Sequence, residues 1–295
     1  MLKAVCYGEI LWDKFKDQQR AGGAPMNVAL HLHKQGVDCK LISSVGDDES
    51  GRTLLKTLEH QGFPTGLVQV HPVLATGIVE VELDEKLQAT YTIVQPVAWD
   101  AITPSDQAQQ AISEADVLIY GSLACRQEES RETLLRLLPL ARKRVLDLNL
   151  RAPHYDTPLL KELVASADIL KINEDEWSHL SELYELPLTD VENFVENLSK
   201  LTNTPVICVT LGDKGALVLF KGSICRHSGY QVEVADTVGA GDAFLATFIK
   251  GLLSELPMNE VLQNACAVGA FVASQKGANP DYTLDRIRQS DFYTS

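Results

Sequence analysis

The amino-acid sequence predicts an α/β protein with three layers, in which helices cover both faces of a mainly parallel central sheet. Six short apolar runs indicate strands, at 3–7, 40–45, 116–120, 144–148, 169–172 and 206–211. Amphipathic stretches separate them, and residues 54–58 and 134–141 show helical spacing. Strands that alternate with helices are typical of parallel sheets, because the chain crosses one face of the sheet before it enters the next strand.

One segment, 76–94, breaks this alternation. Its apolar and polar residues alternate on both sides of the turn-like Asp84-Glu85-Lys86, which predicts a β-hairpin with one solvent-exposed face. We expect the hairpin to form a small sheet with residues 10–15, either as a lid over a crevice or as a dimer surface. A hairpin without a function is the alternative. We therefore predict a single domain, residues 1–295, with a lid formed by about 9–22 and 76–97.

The composition bounds the class of protein. The 295 residues are 45% apolar and 22% charged, enough to bury a core without disulfides or a structural metal. The net charge of −14 argues against nucleic acid or an anionic membrane as a partner. The six cysteines are scattered with no CxxC motif, and no apolar run reaches the roughly 18 residues of a membrane span. We expect a cytoplasmic protein with reduced thiols.

The most specific stretch is Asp236-Thr237-Val238-Gly239-Ala240-Gly241-Asp242, followed by a helical run at 243–253. Its small residues allow a sharp turn and leave bare amides at a helix N-terminus, where the helix dipole favours negative charge. Asp242 would repel a phosphate held there unless it does chemistry, and as a base it could accept the proton of an acceptor hydroxyl. Taken alone, a tight turn with a helix-capping Asp is the simpler interpretation.

Three motifs together carry a resemblance to a known family. DTVGAGDAF at 236–244, GGAPMNVA at 22–29 and VGDDESG at 45–51 resemble, in the same order, signatures of the PfkB (ribokinase-like) carbohydrate kinases. The similarity extends from about Gly8 to Ala278. It implies a ribokinase-like three-layer α/β/α fold with a small β-sheet lid.

The resemblance also implies the roles of several residues. Asp242 corresponds to the catalytic base, and the anion hole to Gly239, Ala240 and Gly241. Asp13, in GEILWD, falls where these kinases place an acid that accepts hydrogen bonds from sugar hydroxyls. The substrate set is completed by Gly22, Gly23, Asn27 and, from the DLNLR segment that resembles DxNxR, Arg151.

The nucleotide side follows from the same resemblance. Residues 173–176 resemble an NxxE motif and residues 210–215 a TLGxxG loop. The implied ATP-binding residues are Asn173, Thr210, Gly212, Gly215, Gly241 and Asn264. Glu176 would organise Mg²⁺ through water, since Mg²⁺ keeps several waters and needs few protein ligands. Asp236 lies where some relatives bind a monovalent cation such as K⁺.

The implied activity is transfer of the γ-phosphate of MgATP to a small sugar. The fructokinase branch is the most similar, and fructose, phosphorylated at its 6-hydroxyl, is the first expected substrate. Another sugar or sugar acid (2-keto-3-deoxygluconate, ribose) and a catalytically silent sugar-binding relative are the alternatives. The partners are small molecules, with a homodimer through the lid also expected. Joint metal ligation by His31 and His33 is disfavoured, because residues two apart on a helix face different ways, and we expect both to be surface or partly packed.

Overall fold

The protein, as a computed structural model, is described over residues 1–16, 18–83 and 89–294. The strands are β1 (Lys3–Tyr7), β2 (Leu11–Lys14), β3 (Gln19–Gly22), β4 (Asp38–Gly46), β5 (Val68–His71), β6 (Gly77–Leu83), β7 (Ala89–Ile93), β8 (Val117–Gly121), β9 (Arg144–Asp147), β10 (Ile169–Asn173), β11 (Val206–Thr210), β12 (Ala216–Phe220) and β13 (Ser223–His227). The helices are α1 (Ala24–Lys34), α2 (Glu49–His60), α3 (Asp106–Glu114), α4 (Glu128–Leu137), α5 (Thr157–Ser166), α6 (Glu174–Leu183), α7 (Val191–Thr202), α8 (Ala240–Leu253), α9 (Met258–Ala273), α10 (Leu284–Arg288) and α11 (Asp291–Thr294).

The main sheet has nine strands in the order β13-β12-β11-β10-β9-β8-β1-β4-β5. Every neighbouring pair from β5 to β11 is parallel. Among the described strands of this sheet, only β12 runs opposite to the others, and it pairs antiparallel with both β11 and β13. This confirms the predicted fold class. The carboxyl ends of the parallel strands meet at one edge, where open α/β sheets bind ligands.

Helices cover both faces of the main sheet because successive side chains of a strand point to opposite faces. On β1, Val5 and Tyr7 join the core cluster that contains side chains of α3 to α7. Ala4 and Cys6, which alternate with them, join the cluster formed with α1, α2, α8 and α9. Strands buried on both faces appear in the sequence as continuous apolar runs, which is why the pattern located them.

A second, small sheet has the order β3-β2-β6-β7. The predicted hairpin at 76–94 is confirmed as β6 and β7, which pair antiparallel, while β2 pairs parallel to β6. Leu11 and Val79 are buried in it, and Phe15 and Ile93 pack against them. The predicted turn at Asp84-Glu85-Lys86 lies outside the described residues. Among the residues described, no helix has both the length and the apolar character that crossing a bilayer requires.

Two helix boundaries differ from the predicted ones. The helical pattern at 134–141 belongs to α4 only as far as Leu137, and a short 3-10 helix at Leu138–Leu140 follows it. Pro139 explains the change, because it has no amide hydrogen for the next α-helical bond. Helix α8 begins at Ala240, three residues before the predicted start, and this places Asp242 within its first turn.

A buried ion pair attaches the end of the small sheet to the main body. Arg126 donates through Nε to Asp100 Oδ1 at 2.7 Å and through Nη2 to Asp100 Oδ2 at 2.8 Å. The same Nη2 donates to the carbonyl of Val94, just after β7, at 2.7 Å. Both charged side chains are only 2% exposed, so neither charge has water as a substitute partner.

We predict that Arg126→Met lowers the free energy of unfolding by about 3–5 kcal/mol, because Asp100 is left buried without its counter-charge. Urea denaturation measures the loss. Arg136→Met is the matched control, since Arg136 forms an exposed pair with Glu132 at 3.4 Å and its removal should be within the error of the measurement. Equal effects of the two substitutions would contradict the prediction.

Candidate active site

The glycine-rich loop that precedes α8 forms a cradle of backbone amides. Gly239 caps the helix with φ of +81°, and the first helical bond runs from the amide of Ala243 to the carbonyl of Gly239 at 2.9 Å. The amides of Gly241 and Asp242 lie in the first turn, where no earlier helical carbonyl can accept them. Together with the helix dipole, these amides form a site suited to an anion.

Gly239 is required sterically as well as conformationally. A Cβ built at this position would lie 2.5–2.7 Å from Cβ, Cα and O of Ala278. The loop before α8 therefore packs directly against the backbone at 277–278. Asp236 strengthens this contact, since its Oδ1 accepts from the Val238 amide at 3.1 Å and its Oδ2 from the Gly277 amide at 3.2 Å.

Asp242 presents its carboxylate beside these amides. Asn27 Nδ2 donates to Asp242 Oδ2 at 2.8 Å, and within the described residues no hydrogen bond reaches Oδ1. Burial and the negative charge of Asp147 raise the pKa of Asp242 to about 6, against the lowering effects of Asn27, Lys171 and Arg151. A carboxylate with one free oxygen and a pKa near neutrality can accept a proton at physiological pH.

Asp13 lies on β2, above the glycines that precede α1. Its Oδ2 occupies the space where a Cβ of Gly22 would stand, and a Cβ of Gly23 would collide with the carbonyl of Glu9. Burial raises the pKa of Asp13 to about 6, and the guanidinium groups of Arg151 and Arg20 oppose this shift. Arg151 lowers the pKa of Asp242 too, so both predicted carboxylates lie within the field of one exposed arginine.

An ion pair joins the small sheet to the amide cradle. Arg20, on β3, donates from Nη1 to Asp236 Oδ2 at 3.0 Å. The carboxylate predicted as a monovalent-cation ligand therefore already has a guanidinium partner. Sequence reasoning assigned no role to Arg20, and only its position opposite Asp13 in the β2–β3 register could have drawn attention to it.

A buried cation lies beneath the cradle and had no predicted role. Lys171 Nζ contacts Asp147 Oδ1 and Oδ2 at 2.9 and 3.2 Å, and it lies 3.4 Å from the position of a Cβ on Gly241. Burial lowers the pKa of Lys171, but the negative charges of Asp147 and Glu176 outweigh this effect. The pKa is therefore raised overall, and the ammonium group stays charged. The adjacent register of Lys171 and Asp147 on β10 and β9 brings the two together.

Asn173 and Glu176 form a capping box at the start of α6. Glu176 Oε2 accepts from the Asn173 amide at 2.9 Å, and Asn173 Oδ1 accepts from the Glu176 amide at 2.9 Å. Glu176 Oε1 accepts from the Leu150 amide at 2.8 Å. Each carboxylate oxygen keeps a second lone pair, which suits contact with a metal-bound water rather than direct ligation. The described part of the chain holds no cluster of three His, Cys, Asp or Glu suited to a metal.

Of the remaining residues predicted to bind the nucleotide, Thr210, Gly212 and Gly215 lie at the end of β11 and in the turn after it, and Asn264 lies on α9. Gly212 and Gly215 adopt positive φ of +60° and +83° in a short 3-10 turn, and Gly212 faces open space. Thr210 Oγ1 donates to the carbonyl of Ile172 at 3.3 Å. Asn264, on α9, is buried, and its Oδ1 accepts from Nε and Nη2 of Arg288, both at 3.2 Å. Its side chain is therefore engaged with helix α10.

The expectation that His31 lies at the surface or is partly packed was wrong. His31 is fully buried, with Nε2 donating to the carbonyl of Ala278 at 2.9 Å. Its Nδ1 then accepts from the hydroxyl of Tyr282 at 3.0 Å. Burial lowers the pKa of His31 to about 4, so the imidazole is neutral. The pattern of α1 could not reveal this, because the segment that covers His31 is about 250 residues away in the sequence.

We predict that Gly239→Ala is much more harmful than Gly36→Ala. Both glycines have φ near +80°, but a Cβ at Gly36 would meet nothing within 4 Å. Gly36→Ala should cost about 1 kcal/mol of backbone strain in urea denaturation. Gly239→Ala adds the collision with Ala278, so it should cost more and also displace the amide cradle. Equal losses for the two variants would show that the packing of Gly239 on Ala278 is unimportant.

Comparisons with known proteins identify the family and the fold. A sequence profile described as pfkB family carbohydrate kinase matches residues 2–284. A fructokinase of Klebsiella pneumoniae is 29% identical over 278 residues, covering 88% of this chain and 88% of that protein. An uncharacterised sugar kinase of Pyrococcus horikoshii, solved in complex with ATP, superposes with a TM-score of 0.82 at 25% identity, over 99% of each chain.

A double mutant of the fructokinase of Vibrio cholerae was solved with fructose, ADP and a potassium ion bound. It superposes with a TM-score of 0.79 at 24% identity, over 95% of this chain and 94% of that chain, and shows the same fold. The family profile spans nearly the whole chain, including both glycine motifs and the start of α8. The chain therefore belongs to the pfkB family of carbohydrate kinases.

Proposed function

We propose that the protein is an ATP-dependent sugar kinase in which Asp242 is the general base. The observation that carries the proposal is the placement of Asp242: one carboxylate oxygen is held by Asn27 at 2.8 Å, and the carboxylate lies in the first turn of α8 beside the amide cradle. This arrangement combines a proton acceptor with an anion site, which are the two components that phosphoryl transfer to a hydroxyl requires.

In the proposed reaction, a sugar hydroxyl gives its proton to Asp242 as its oxygen bonds to the γ-phosphorus of ATP. The bond from this phosphorus to the bridging oxygen breaks, and ADP leaves with its electron pair. The amides of Gly239, Ala240 and Gly241 stabilise the charge on the transferred group, and buried Lys171 adds a fixed positive charge nearby. Asp13, Gly22, Gly23, Asn27 and Arg151 bind the sugar.

On the nucleotide side, the proposed ATP-binding residues are Asn173, Thr210, Gly212, Gly215, Gly241 and Asn264. Gly212 has positive φ and faces open space, whereas Gly215 has positive φ and packs against the backbone at 227–229. The side chain of Asn264 is already engaged by Arg288. Mg²⁺ accompanies ATP and contacts Glu176 through water. A K⁺ ion bound at Asp236 would have to compete with the guanidinium of Arg20, which already pairs with that carboxylate.

We propose fructose as the first substrate, phosphorylated at its 6-hydroxyl, on the support of the similar fructokinases. A sugar acid is the second candidate. One observation favours it: Arg151 is exposed and, in the described residues, its guanidinium has no ion-pair partner, while it lies close enough to Asp13 to shift its pKa. A free arginine beside the acceptor site would suit a carboxylate.

The small sheet is proposed to act as a lid over the acceptor site, on the support of the Arg20–Asp236 pair. A homodimer through this sheet remains a prediction. A cytoplasmic location is supported by the cysteines, all six of which are free.

The test is a panel of sugars with MgATP, measured by ADP release, for the wild type and Asp242→Asn. We expect fructose to be the best acceptor of the panel and Asp242→Asn to lower kcat by about 10²–10⁴-fold, because the general base is lost. Sugar and ATP binding, measured by calorimetry, should change little. Phosphorylation of no sugar, or near-normal turnover by Asp242→Asn, would refute the proposed function.

We predict that Asp13→Ala weakens the affinity for the sugar but not for ATP. The loss should be about 10-fold or more, because charge-assisted hydrogen bonds to sugar hydroxyls are worth about 1.5–3 kcal/mol. Calorimetric titration of each ligand separates the two affinities. Asp47→Ala serves as control, since Asp47 forms an exposed pair with Arg52 at 2.8 Å. Equal losses for sugar and ATP would rule out a sugar-binding role.

A further inference from the structure

The amide of Asn27 is held from both sides. On one side its Nδ2 donates to Asp242 Oδ2 at 2.8 Å. On the other side its Oδ1 accepts from Asn279 Nδ2 at 2.7 Å. Asn27 is nearly inaccessible to water, at 4% exposure, so these two bonds decide which way its amide points. A continuous chain of two hydrogen bonds thus leads from Asn279 to Asp242.

The direction of this chain follows from the charge at its end. An ionised carboxylate only accepts hydrogen bonds, so Asn27 must turn its NH₂ group towards Asp242. Its carbonyl oxygen then needs a donor, and Asn279 supplies one. Asn279 Oδ1 is left buried with no hydrogen-bond partner among the described residues. The bond to Asn27 is therefore the side-chain hydrogen bond that orients the Asn279 amide among the described residues.

The backbone that carries Asn279 is fixed by other groups. Lys34 Nζ donates to the carbonyls of Asn279 and Pro280 at 2.7 and 3.0 Å. His31 Nε2 donates to the preceding carbonyl, of Ala278, at 2.9 Å. All of these donors lie on α1, which also carries Asn27. The position of the segment and the orientation of the Asn279 side chain can therefore be perturbed separately.

We propose that Asn279 is a positioning residue for Asp242: it orients the Asn27 amide so that one carboxylate oxygen of Asp242 is bound and the other is free to take the proton. The proposal rests on the proposed function, since it assumes that Asp242 is the base. It assigns to residues 277–280 a second role besides packing on Gly239.

Asn27 and several charged groups together set the pKa of Asp242. Lys171 on β10 and Arg151 after β9 favour its ionised form, as Asn27 does, and Asp147 on β9 opposes it. At the end of β1, Cys6 and Glu9 interact with the same carboxylate, and burial raises the pKa of Glu9 to about 7. The donation from Asn27 is the neutral contribution in this set, so an uncharged substitution at 279 can remove it while every neighbouring charge stays in place.

The experiment is the pH dependence of kcat/KM for the best acceptor of the sugar panel. For the wild type, the rate should fall as the pH drops through about 6, because protonated Asp242 cannot accept a proton. Asn279→Ala frees the Asn27 amide to rotate, which weakens its hydrogen bond to Asp242 and raises the pKa of that carboxylate. The acid limb, which is the fall of the rate on the acidic side of the pH profile, should therefore move up by about half to one pH unit. The value of kcat should fall about 10-fold. Asn279→Asp presents an oxygen to Asn27 Oδ1 and adds a negative charge, so its acid limb should move further.

Lys34→Met is the matched control, because Lys34 holds the same segment through backbone carbonyls without contacting Asn27. Its acid limb should stay at the wild-type position. Asp13 has a pKa near 6 as well, so its titration also affects the pH profile. No hydrogen bond in the described ranges joins Asp13 to Asn27 or Asn279, so its effect on the profile should be the same in all variants. Thermal unfolding of each variant establishes that the proteins compared are folded.

The possible results distinguish a failure of the positioning role of Asn279 from a failure of the proposed function. Near-normal turnover by Asp242→Asn would overturn both. Loss of turnover by Asp242→Asn, with a wild-type acid limb and kcat for both Asn279 variants, would overturn the positioning role alone. An equal shift for Lys34→Met and Asn279→Ala would also overturn it, since the effect would then come from the backbone of the segment. A shift confined to the Asn279 variants, larger for Asp than for Ala, supports it.

Discussion

The proposed catalysis depends on keeping the carboxylate of Asp242 negatively charged in a place that partly excludes water. Burial and the nearby Asp147 favour the protonated form of Asp242, whereas Asn27, Lys171 and Arg151 favour the ionised form. The balance leaves the pKa of Asp242 at about 6, close enough to neutrality for reversible proton transfer. The start of α8 contributes through its dipole, which favours the negative charge. Asn27, Lys171, the start of α8 and the segment 147–151 are far apart in the sequence, and the folded sheet brings them to one edge.

The same edge shows how a protein of net charge −14 can offer a site to a polyanion. The favourable field is local, formed by bare amides, the exposed Arg151 and the buried Lys171. Lys171 requires Asp147 as a counter-charge, because an ammonium group without a partner would lose its proton in such surroundings. Asp147 in turn raises the pKa of Asp242. The cation beneath the cradle and the ionisation of the carboxylate are therefore coupled and cannot be altered independently.

The sequence predicted the layers, the six central strands and the small sheet because these follow from local apolar periodicity. It also predicted roles for Asp242, Asp13 and the glycines around them, whose signals are short contiguous motifs. It assigned no role to Arg20, Lys171 or Asn279, since each acts through a contact with a residue distant in the sequence. A lone Arg, Lys or Asn has no periodicity, and its role emerges only from the pairing of strands and the packing of α1 against the C-terminal segment. His31 failed as a prediction for the same reason.

The pair between Arg20 and Asp236 has a consequence for the exchange of ligands. Asp236 binds the amides of Val238 and Gly277, and Arg20 belongs to the small sheet. Any outward swing of β3 must break this pair and leave the Asp236 carboxylate without its counter-ion. The loop proposed to hold the phosphate would then lose part of its support as the proposed acceptor site opens. Departure of the product and loosening of the phosphate-holding loop would in that case be a single event, and dissolved salt, by screening the pair, would favour it.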